Sequence, residues 1–491
     1  MLVLIVVDDP KDWPLQVGDV DVVSARDYLA DPVYSELRGA RVFNLCRSYR
    51  YQNVGYYVSL LATARGHRPL PSITTVQDLK SRTIIRILSE ELDALIQKSL
   101  ASLQTSDFTL SIYFGRNLAA RYDRLSLRLF NLFQSPLLRA QFVRDGRWEL
   151  QNIRPIGAAE IPTEHHRFVV QAAQDHFAGR CHRPRKRRPP RYDLAILYDP
   201  TEQEAPSNAR AIQRFVRMSE KLGLGVDLIT RDDYGRLPEY DGLFIRTTTS
   251  VMHYTYRFAR RAAAEGLVVI DDPESILKCT NKVYLAELLS RHGIRMPKTL
   301  IVHKGNVDAI VSALGLPCVL KQPDSSFSKG VVKVEQQAAL KGTVAALLES
   351  SELIVAQEFL PTDFDWRVGI FDRRPLYVCK YFMARRHWQI VHRQEGTGKR
   401  LEGAAQTLPV EAAPSQVIQT ALRAANLIGN GLYGVDIKQV GRRSYVIEIN
   451  DNPNIDAGLE DEVLKEELYR VIMSGFLQRI EQQKMLPPLA P

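Results

Sequence analysis

The stretch VIEINDNPNID, residues 446–456, joins a β-branched run to acidic and amide side chains. The apolar residues predict a buried strand. Glu448 and Asn450 lie two apart on it and share one face, because strand side chains alternate. Upstream, GVDI at 434–437 predicts another strand that carries Asp436. Such oxygen ligands suit a hard divalent cation such as Mg²⁺. A polar turn exposed to water is the commoner cause of this pattern. The choice between a metal site and such a turn therefore depends on the rest of the chain.

Length and composition indicate an ordinary globular protein. The 491 residues predict about three or four domains. The opening run MLVLIVV ends at Asp8 and Asp9, too early for a secretory signal, and no later run is long enough to span a membrane. The five cysteines are scattered without a CxxC pair, which is typical of reduced thiols. We therefore expect a soluble, cytoplasmic protein with no membrane partner.

Residues 1–179 alternate strand and helix patterns and predict an N-terminal α/β domain. The pattern over 76–102 predicts one long helix. His165 and His166 are adjacent, and neighbouring residues of a helix diverge by about 100°, which argues against their chelating one metal ion. The N-terminal domain also contains a cluster of tyrosines. Packing is the simpler explanation for this cluster, and recruitment of a substrate is the alternative. The cluster consists of Tyr49, Tyr51, Tyr56 and Tyr57.

The stretch RCHRPRKRRPPR, residues 180–191, is the clearest boundary in the chain. It holds seven of the positive charges behind the net charge of +9 and no acid, so the remainder is nearly neutral. Prolines and like charges predict an exposed linker, and a patch for phosphate or an acidic partner is the alternative. A nucleic-acid partner is not expected, because the stretch lacks interleaved aromatic residues and the body of the chain is not basic.

Beyond the linker, residues 192–280 alternate strand and helix patterns again, which is typical of a parallel, doubly wound sheet. A helix is expected to open at Asp272-Pro273, to carry Asn281 and Lys282, and to close through Gly293.

Phosphate-binding signals follow this helix. VLK at 319–321 predicts a strand that delivers Lys321. The next loop, PDSSFSKGV, has short hydroxyl residues and a glycine that let backbone N–H groups approach phosphate oxygens. A surface turn is the commoner role of such a loop when it stands alone. The candidate phosphate ligands in this loop are Ser325, Ser328, Lys329 and Gly330.

A hinge and a set of cations come next. IVAQEFL at 354–360 predicts a strand that ends where an adenine would meet backbone donors and acceptors. Asp365 and Arg367 follow it, and Lys380 lies in the next predicted strand. An arginine and a lysine that face a carboxylate-bound metal would neutralise a phosphoryl group during its transfer.

In this order the motifs resemble the ATP-grasp superfamily, and within it the RimK-like peptide ligases, over about residues 192–480. The resemblance rests on DDPESILKCTNK, HGIRMPKT, VLKQPDSSFSKGV, QEFLPTDFDWRV, YGVDIK and VIEINDNP. It implies an α/β and α+β multidomain protein. The implied domains are an accessory α/β domain at 1–179, the linker at 180–191, a pre-ATP-grasp domain at 192–280 and a two-lobed ATP-grasp domain at 281–480, with lobes near 281–360 and 361–480.

The resemblance also implies roles for the site residues. The implied nucleotide ligands are Lys282 and Lys321 at the phosphates, Glu358, Phe359 and Leu360 at the adenine, Asp365 near the ribose, and the loop from Ser325 to Gly330 above the phosphates. The implied metal ligands, for two Mg²⁺ ions or for Mn²⁺ in their place, are Asp436, Glu448 and Asn450. The implied catalytic cations are Arg367, Lys380 and Lys321. RHWQIV at 386–391 and NPN at 452–454 depart from the family pattern, which leaves acceptor binding open.

The implied function is an ATP-dependent carboxylate–amine ligase that forms an amide or peptide bond through an acyl phosphate. Its substrates would be an amino acid such as glutamate and a peptide or protein. The alternative is a non-catalytic module in which ATP binding presents the N-terminal domain to a partner. A homo-oligomer is compatible with either function.

Overall fold

The computed structural model describes residues 2–13, 20–37, 40–81, 85, 89, 92–181, 190–324, 330–384, 387–393 and 400–485. The chain divides into two compact units. Unit 1 comprises Met1–Pro190 and Asp233–Glu239, and unit 2 comprises Arg191–Asp232 and Tyr240–Pro491. Each unit combines helices with parallel and antiparallel sheets, which confirms the predicted mixed α/β class.

Unit 1 begins with a parallel sheet of strand order β2-β1-β3-β4. Its central strand β1, VLIVV, is apolar on both faces and buried from Leu4 to Val7, as is typical of a buried parallel strand. The strands are β1 (Val3–Val7), β2 (Asp21–Ser24), β3 (Arg41–Asn44) and β4 (Arg68–Leu70), and the helices are α1 (Ala25–Ala30), α2 (Pro32–Glu36), α3 (Val54–Ala64) and α4 (Ile73–Asp78).

The remainder of unit 1 is an antiparallel sheet of order β5-β6-β7 with flanking helices. Its elements are α5 (Asp93–Leu100), β5 (Asp107–Tyr113), α6 (Asp123–Phe133), β6 (Leu137–Asp145), β7 (Arg147–Pro155) and α7 (His166–Cys181). The prediction of one helix over 76–102 was wrong. The N–H groups of Lys80 and Ser81 bond three residues back, to Gln77 and Asp78, and such a tightened turn ends α4.

Unit 2 begins with a second parallel sheet, of order β9-β8-β10-β11, as the sequence predicts. Its elements are β8 (Tyr192–Leu197), α8 (Ala209–Lys221), β9 (Leu224–Ile229), β10 (Gly242–Ile245), α9 (Tyr254–Ala264) and β11 (Val268–Ile270). Two helices follow, α10 (Pro273–Thr280) and α11 (Lys282–Arg291). The single helix expected here is therefore wrong, because Asn281 breaks it and caps α11: its Oδ1 accepts the N–H groups of Val283 and Tyr284, both at 3.0 Å.

Two antiparallel sheets complete unit 2, one of order β12-β15-β13-β14 and one of order β20-β17-β16-β21-β22. The first contains β12 (Thr299–Val302), α12 (Ala309–Leu314), β13 (Cys318–Lys321), β14 (Val331–Val334), α13 (Gln337–Leu347) and β15 (Ile354–Glu358). The second contains β16 (Phe364–Phe371), β17 (Arg374–Phe382), β20 (Ala405–Leu408), α14 (Ser415–Ile428), β21 (Leu432–Val440), β22 (Arg443–Asp451) and α15 (Glu466–Met485), with a small hairpin of β18 (Val391–Arg393) and β19 (Arg400–Glu402).

Short 3-10 helices lie between these elements. They span Pro10–Asp12, Ala120–Tyr122, Ala158–Glu160, Thr163–His165, Arg231–Glu239 and Val410–Ala412. Within the described ranges, no helix is long and apolar enough to cross a membrane.

Candidate functional site

Three neighbouring strands of the five-stranded sheet align Arg367, Asp436 and Glu448 in one row. Arg367 on β16 is opposite Asp436 on β21, and Asp436 is opposite Glu448 on β22. In the next pair on the same face of this hairpin, Gly434 is opposite Asn450. Because strand side chains alternate, these groups share one face, while intervening residues such as Val435 lie in the core with α14. The structure thus brings the three predicted metal ligands together with Arg367.

The side chains of this row contact one another directly. The Arg367 Nε and Nη2 atoms donate to the two carboxylate oxygens of Asp436 at 2.6 and 2.7 Å. The Asn450 side-chain amide donates to Asp436 at 3.1 Å, and the Lys282 ammonium lies 2.8 Å from Glu448. Each carboxylate therefore already faces a cation, and the face alternates positive and negative groups.

Lys282 and Lys321 reach the row from the other side. Lys282 is there because the Asn281 cap starts α11 at this residue, and Lys321 is the last residue of β13. Both lysines line a cavity together with Gln357 and Glu448. Loss of hydration lowers the pKa of Lys321 to about 8; Glu448 opposes this shift, and the nearby Lys282 and Lys438 ammonium groups add to it. Burial alone would raise the pKa of Glu448, but Lys282 and Lys321 lower it below its usual value.

Lys438 belongs to this face and was missed from the sequence. Its ammonium donates to Asp365 at 2.6 Å and to the Thr362 hydroxyl at 2.7 Å. Burial raises the pKa of Asp365, which Lys438 partly offsets. The signal was available in YGVDIK, because Lys438 lies two residues after Asp436 on one strand and must share its face. The predicted ribose residue Asp365 is thus near the row, paired with a lysine.

Lys380 lies on the opposite face of the sheet. It is the cross-strand partner of Trp366, and its ammonium sits 4.7 Å from the Phe364 ring centre and 5.0 Å from that of Trp366. A cation over aromatic rings is a stable arrangement in itself. The structure does not bring Lys380 to the row of Arg367.

The predicted hinge residues are half-buried: Glu358 is the last residue of β15, and Phe359 and Leu360 follow it. Glu358 is fixed by two bonds to Lys298: its N–H donates to the Lys298 carbonyl at 2.9 Å and its carboxylate accepts the Lys298 N–H at 2.8 Å. The Lys333 ammonium lies 4.8 Å from the Phe359 ring centre. The backbone past β15 is therefore held in place.

The predicted phosphate loop is described only at its end. Ser325, Ser328 and Lys329 lie outside the described residues, as do residues 182–189 of the basic linker. Gly330 has φ +69°, and a Cβ there would meet Gln322 Oε1 at 2.5 Å, so this position requires glycine.

The donor set of the row fits Mg²⁺. In the part of the chain that the structure describes, no group of three or more His, Cys, Asp or Glu side chains forms a metal cage. Two carboxylates and one amide converge instead, and Mg²⁺ commonly takes one or two carboxylates and completes its shell with water and phosphate oxygens. The surrounding lysines and Arg367 suit those phosphates.

The two side alternatives in unit 1 have local contacts. The Tyr113 hydroxyl lies 2.7 Å from His165 Nδ1. Tyr49 is buried and donates to the Asn44 carbonyl at 2.7 Å. Tyr51 and Tyr57 are 64% and 39% exposed, and the half-buried Tyr56 contacts both rings, at 5.1 and 5.7 Å between centres. Core packing therefore explains Tyr49, whereas the other three rings pack on one another at the surface.

Family models match two parts of the chain. The RimK-like ATP-grasp N-terminal domain matches residues 25–172, and the ATP-grasp domain matches residues 279–455. A probable alpha-L-glutamate ligase 2 from Shewanella amazonensis is 30% identical over 226 residues, which cover 46% of this chain and 72% of that protein. A probable alpha-L-glutamate ligase from Vibrio atlanticus is 27% identical over 278 residues, 54% of this chain and 86% of that protein.

Similarities also extend to another ligase and to solved structures. The alpha-aminoadipate–LysW ligase LysX of Sulfurisphaera tokodaii is 28% identical over 192 residues, 38% of this chain and 63% of that protein. The crystal structure of a RimK domain ATP-grasp protein from Sphaerobacter thermophilus has 16% identity and a TM-score of 0.44, covering 57% of this chain and 98% of its own. From its domain matches and its Shewanella relative, the chain belongs to the RimK-like ATP-grasp ligase family of enzymes.

Proposed function

We propose that this ligase transfers the γ-phosphoryl group of ATP to a substrate carboxylate and then joins the resulting acyl phosphate to an amine. The observation that carries the proposal is the row of Arg367, Asp436 and Glu448 with Lys282 beside it. It combines the hard oxygen ligands and the fixed cations that phosphoryl transfer needs. A carboxylate is a poor electrophile at neutral pH, and phosphorylation supplies its leaving group.

In this proposal the nucleotide lies between the two antiparallel sheets of unit 2. Lys282 and Lys321 bind its phosphates under the loop of Ser325, Ser328, Lys329 and Gly330. The backbone at Glu358, Phe359 and Leu360 binds the adenine, and Asp365 the ribose. Lys438 holds the Asp365 carboxylate in position at 2.6 Å.

The proposed ligands of two Mg²⁺ ions, or of Mn²⁺ in their place, are Asp436, Glu448 and Asn450. When bound, the metal would offset phosphate charge. Arg367 positions Asp436 through two parallel hydrogen bonds, and its guanidinium contributes fixed positive charge to the transferred phosphoryl group. The catalytic role of Lys380 stays a prediction, and its place on the opposite face gives it no part in this proposal.

For the substrates we propose glutamate or another amino acid and a peptide or protein acceptor. The support is the naming of the Shewanella and Vibrio relatives as probable alpha-L-glutamate ligases and of LysX as a ligase of alpha-aminoadipate to LysW. The cytoplasmic location and the homo-oligomer stay predictions.

The test is ADP release with Mg-ATP across single amino acids, dipeptides and fractions of cell extract. A carboxylate and amine pair that stimulates ADP release, with a product mass equal to their condensation, supports the ligase. ATP binding without turnover in any mixture would instead favour the nucleotide-dependent binding module.

A further inference from the structure

Unit 1 repeats part of the order of elements that carries the candidate site in unit 2; between its first two strands the described residues hold a short 3-10 helix, where unit 2 has α8. Both units begin with a four-stranded parallel sheet in which the first strand in sequence lies between the second and the third. In both, an 11-residue helix joins the third strand to the fourth, α3 in unit 1 and α9 in unit 2. Each of these helices is followed by a glycine of positive φ, Gly66 at +68° and Gly266 at +72°.

The antiparallel hairpins of the two units also correspond. β6, β7, β21 and β22 each contain 9 residues. The register of each hairpin shifts at the same place, after Gln141 in β6 and after Asp436 in β21. A helix precedes each hairpin, an antiparallel strand flanks it (β5 or β16), and a long helix follows it (α7 or α15).

The long helix then packs on the parallel sheet of its own unit in the same way. In unit 1 the rings of Phe43 and Phe177 meet edge to face at 4.9 Å between centres, and in unit 2 those of Phe244 and Phe476 do so at 5.4 Å. The strand order of the parallel sheets, the hairpin strand lengths, the register and the packing therefore agree, and the two hairpins can be compared residue by residue.

The corresponding positions in unit 1 lack the metal ligands. Where Asp436 faces Glu448 in unit 2, Gln141 faces Asn152 in unit 1. Two neutral amides replace two carboxylates, and Mg²⁺ sites depend on at least one carboxylate. In the order of elements along the chain, segment 79–106 stands where unit 2 has the antiparallel sheet that carries Lys321. The described part of this segment holds α5 and turns.

The next pair of positions on the same face of the hairpin carries two arginines in unit 1. Where Gly434 faces Asn450, Arg139 faces Arg154. Both arginines share one acid, Glu160, at 3.7 and 2.7 Å, and their side chains are 25% and 44% exposed. Two guanidinium groups with a single carboxylate between them leave N–H donors and one positive charge for another carboxylate, the group that arginine binds with two parallel bonds.

We propose that unit 1 is a copy of the ligase fold without metal or nucleotide binding, and that Arg139 and Arg154 on its exposed sheet face bind a carboxylate of the peptide substrate. The identity of that ligand as a peptide rests on the proposed function. The site would hold the acceptor without taking part in the chemistry.

The test is calorimetric titration of the full chain, without ATP and in EDTA, with tri-glutamate and with its carboxylate-free analogue, tri-glutamine amide. Tri-glutamate is expected to bind and the amide not to. Arg139→Gln with Arg154→Gln should weaken binding about tenfold or more. Arg147→Gln, on the same hairpin and 64% exposed, is the matched control and should leave the affinity unchanged.

Glu160→Gln separates binding from a structural role. It removes the competing carboxylate but keeps an oxygen for the Gly157 N–H, which Glu160 accepts at 3.2 Å. Tri-glutamate should then bind several-fold more tightly, whereas a purely structural role predicts no gain. Thermal unfolding of each variant verifies that it is folded.

Equal affinity of the double variant and the parent chain, or no metal-free binding, would overturn the inference. ADP release measured on the same samples distinguishes it from the proposed function. Turnover without arginine-dependent binding would support the ligase function and overturn the carboxylate site. Arginine-dependent binding without turnover under any condition would support the carboxylate site and count against the ligase function.

Discussion

The Lys282 ammonium lies 2.8 Å from the Glu448 carboxylate, so the first residue of α11 is joined to the strand that carries the proposed metal ligands. A phosphate would need Lys282 and a metal would need Glu448. In the proposed function, binding of Mg-ATP would exchange this ion pair for two new contacts, one to each partner. The ion pair compensates the charges of the buried Lys282 and the half-buried Glu448 in the free protein.

Glu448→Gln should abolish turnover while the fold is retained, because the amide keeps the shape but removes the charge that a metal needs. We expect a loss of about a hundredfold or more in ADP release from a chain that is still folded at the assay temperature, with a lowered melting temperature because Lys282 loses its charged partner. The matched control is Glu462→Gln, an exposed acid in the loop before α15. Full activity of the Glu448 variant would remove this residue from the metal site.

Lys321 should make nucleotide binding depend on pH. Its pKa is lowered to about 8, so the ammonium is charged below that pH and neutral above it. ATP affinity should fall by up to about tenfold per pH unit above this value. Lys321→Arg retains its charge and should give a flatter profile, and Lys321→Ala should bind weakly throughout. Parallel profiles for the arginine variant and the parent would count against Lys321.

Arg367 and Lys380 should differ sharply in their effect on kcat. Arg367→Lys keeps a charge but loses the two parallel bonds to Asp436, and a loss of about 10²- to 10³-fold is expected. Lys380→Met should stay within about threefold, because its ammonium lies over Phe364 and Trp366 on the other face. A larger loss for Lys380 than for Arg367 would reverse this assignment.

Glu460 should make stability depend on pH. This fully buried carboxyl accepts the Tyr381 hydroxyl and the Asp456 N–H, and burial raises its pKa to about 7. The folded state holds the proton more tightly than the unfolded chain, whose glutamate pKa is about 4.3. Its contribution is therefore complete below that value and is lost as pH rises through about 7. Urea unfolding between about pH 5 and pH 8 should show a shallower decline for Glu460→Gln, and equal slopes would exclude Glu460 as the cause.

Strand alternation predicted much of the candidate site. It placed Glu448 and Asn450 on one face, and pairing of β21 with β22 brought Asp436 beside them. The face of Lys380 was not predictable, because it depends on which residue of β16 pairs with it, and pairing register between strands is set by tertiary packing. Lys438 was predictable from its spacing to Asp436 and was overlooked.

The helix boundaries and the internal repeat show a different limit. Asn281 between Thr280 and Lys282 was a readable cap signal, yet the apolar pattern continues across it and suggested one helix. The hairpins that contain β6 and β21 correspond in strand length and register. The residue types at corresponding positions differ, as Gln141 and Asp436 show, so the side-chain pattern gives no sign of the repeat. Backbone geometry is retained there while the chemistry of the residues is not.

The most direct test of the acyl phosphate follows oxygen from the substrate to the released phosphate. The carboxylate substrate is labelled with ¹⁸O and turned over with Mg-ATP and the amine, and inorganic phosphate is analysed by mass spectrometry. If the carboxylate attacks the γ-phosphorus and the amine then expels phosphate, one labelled oxygen must leave with each phosphate. Product formation with unlabelled phosphate would contradict the mechanism.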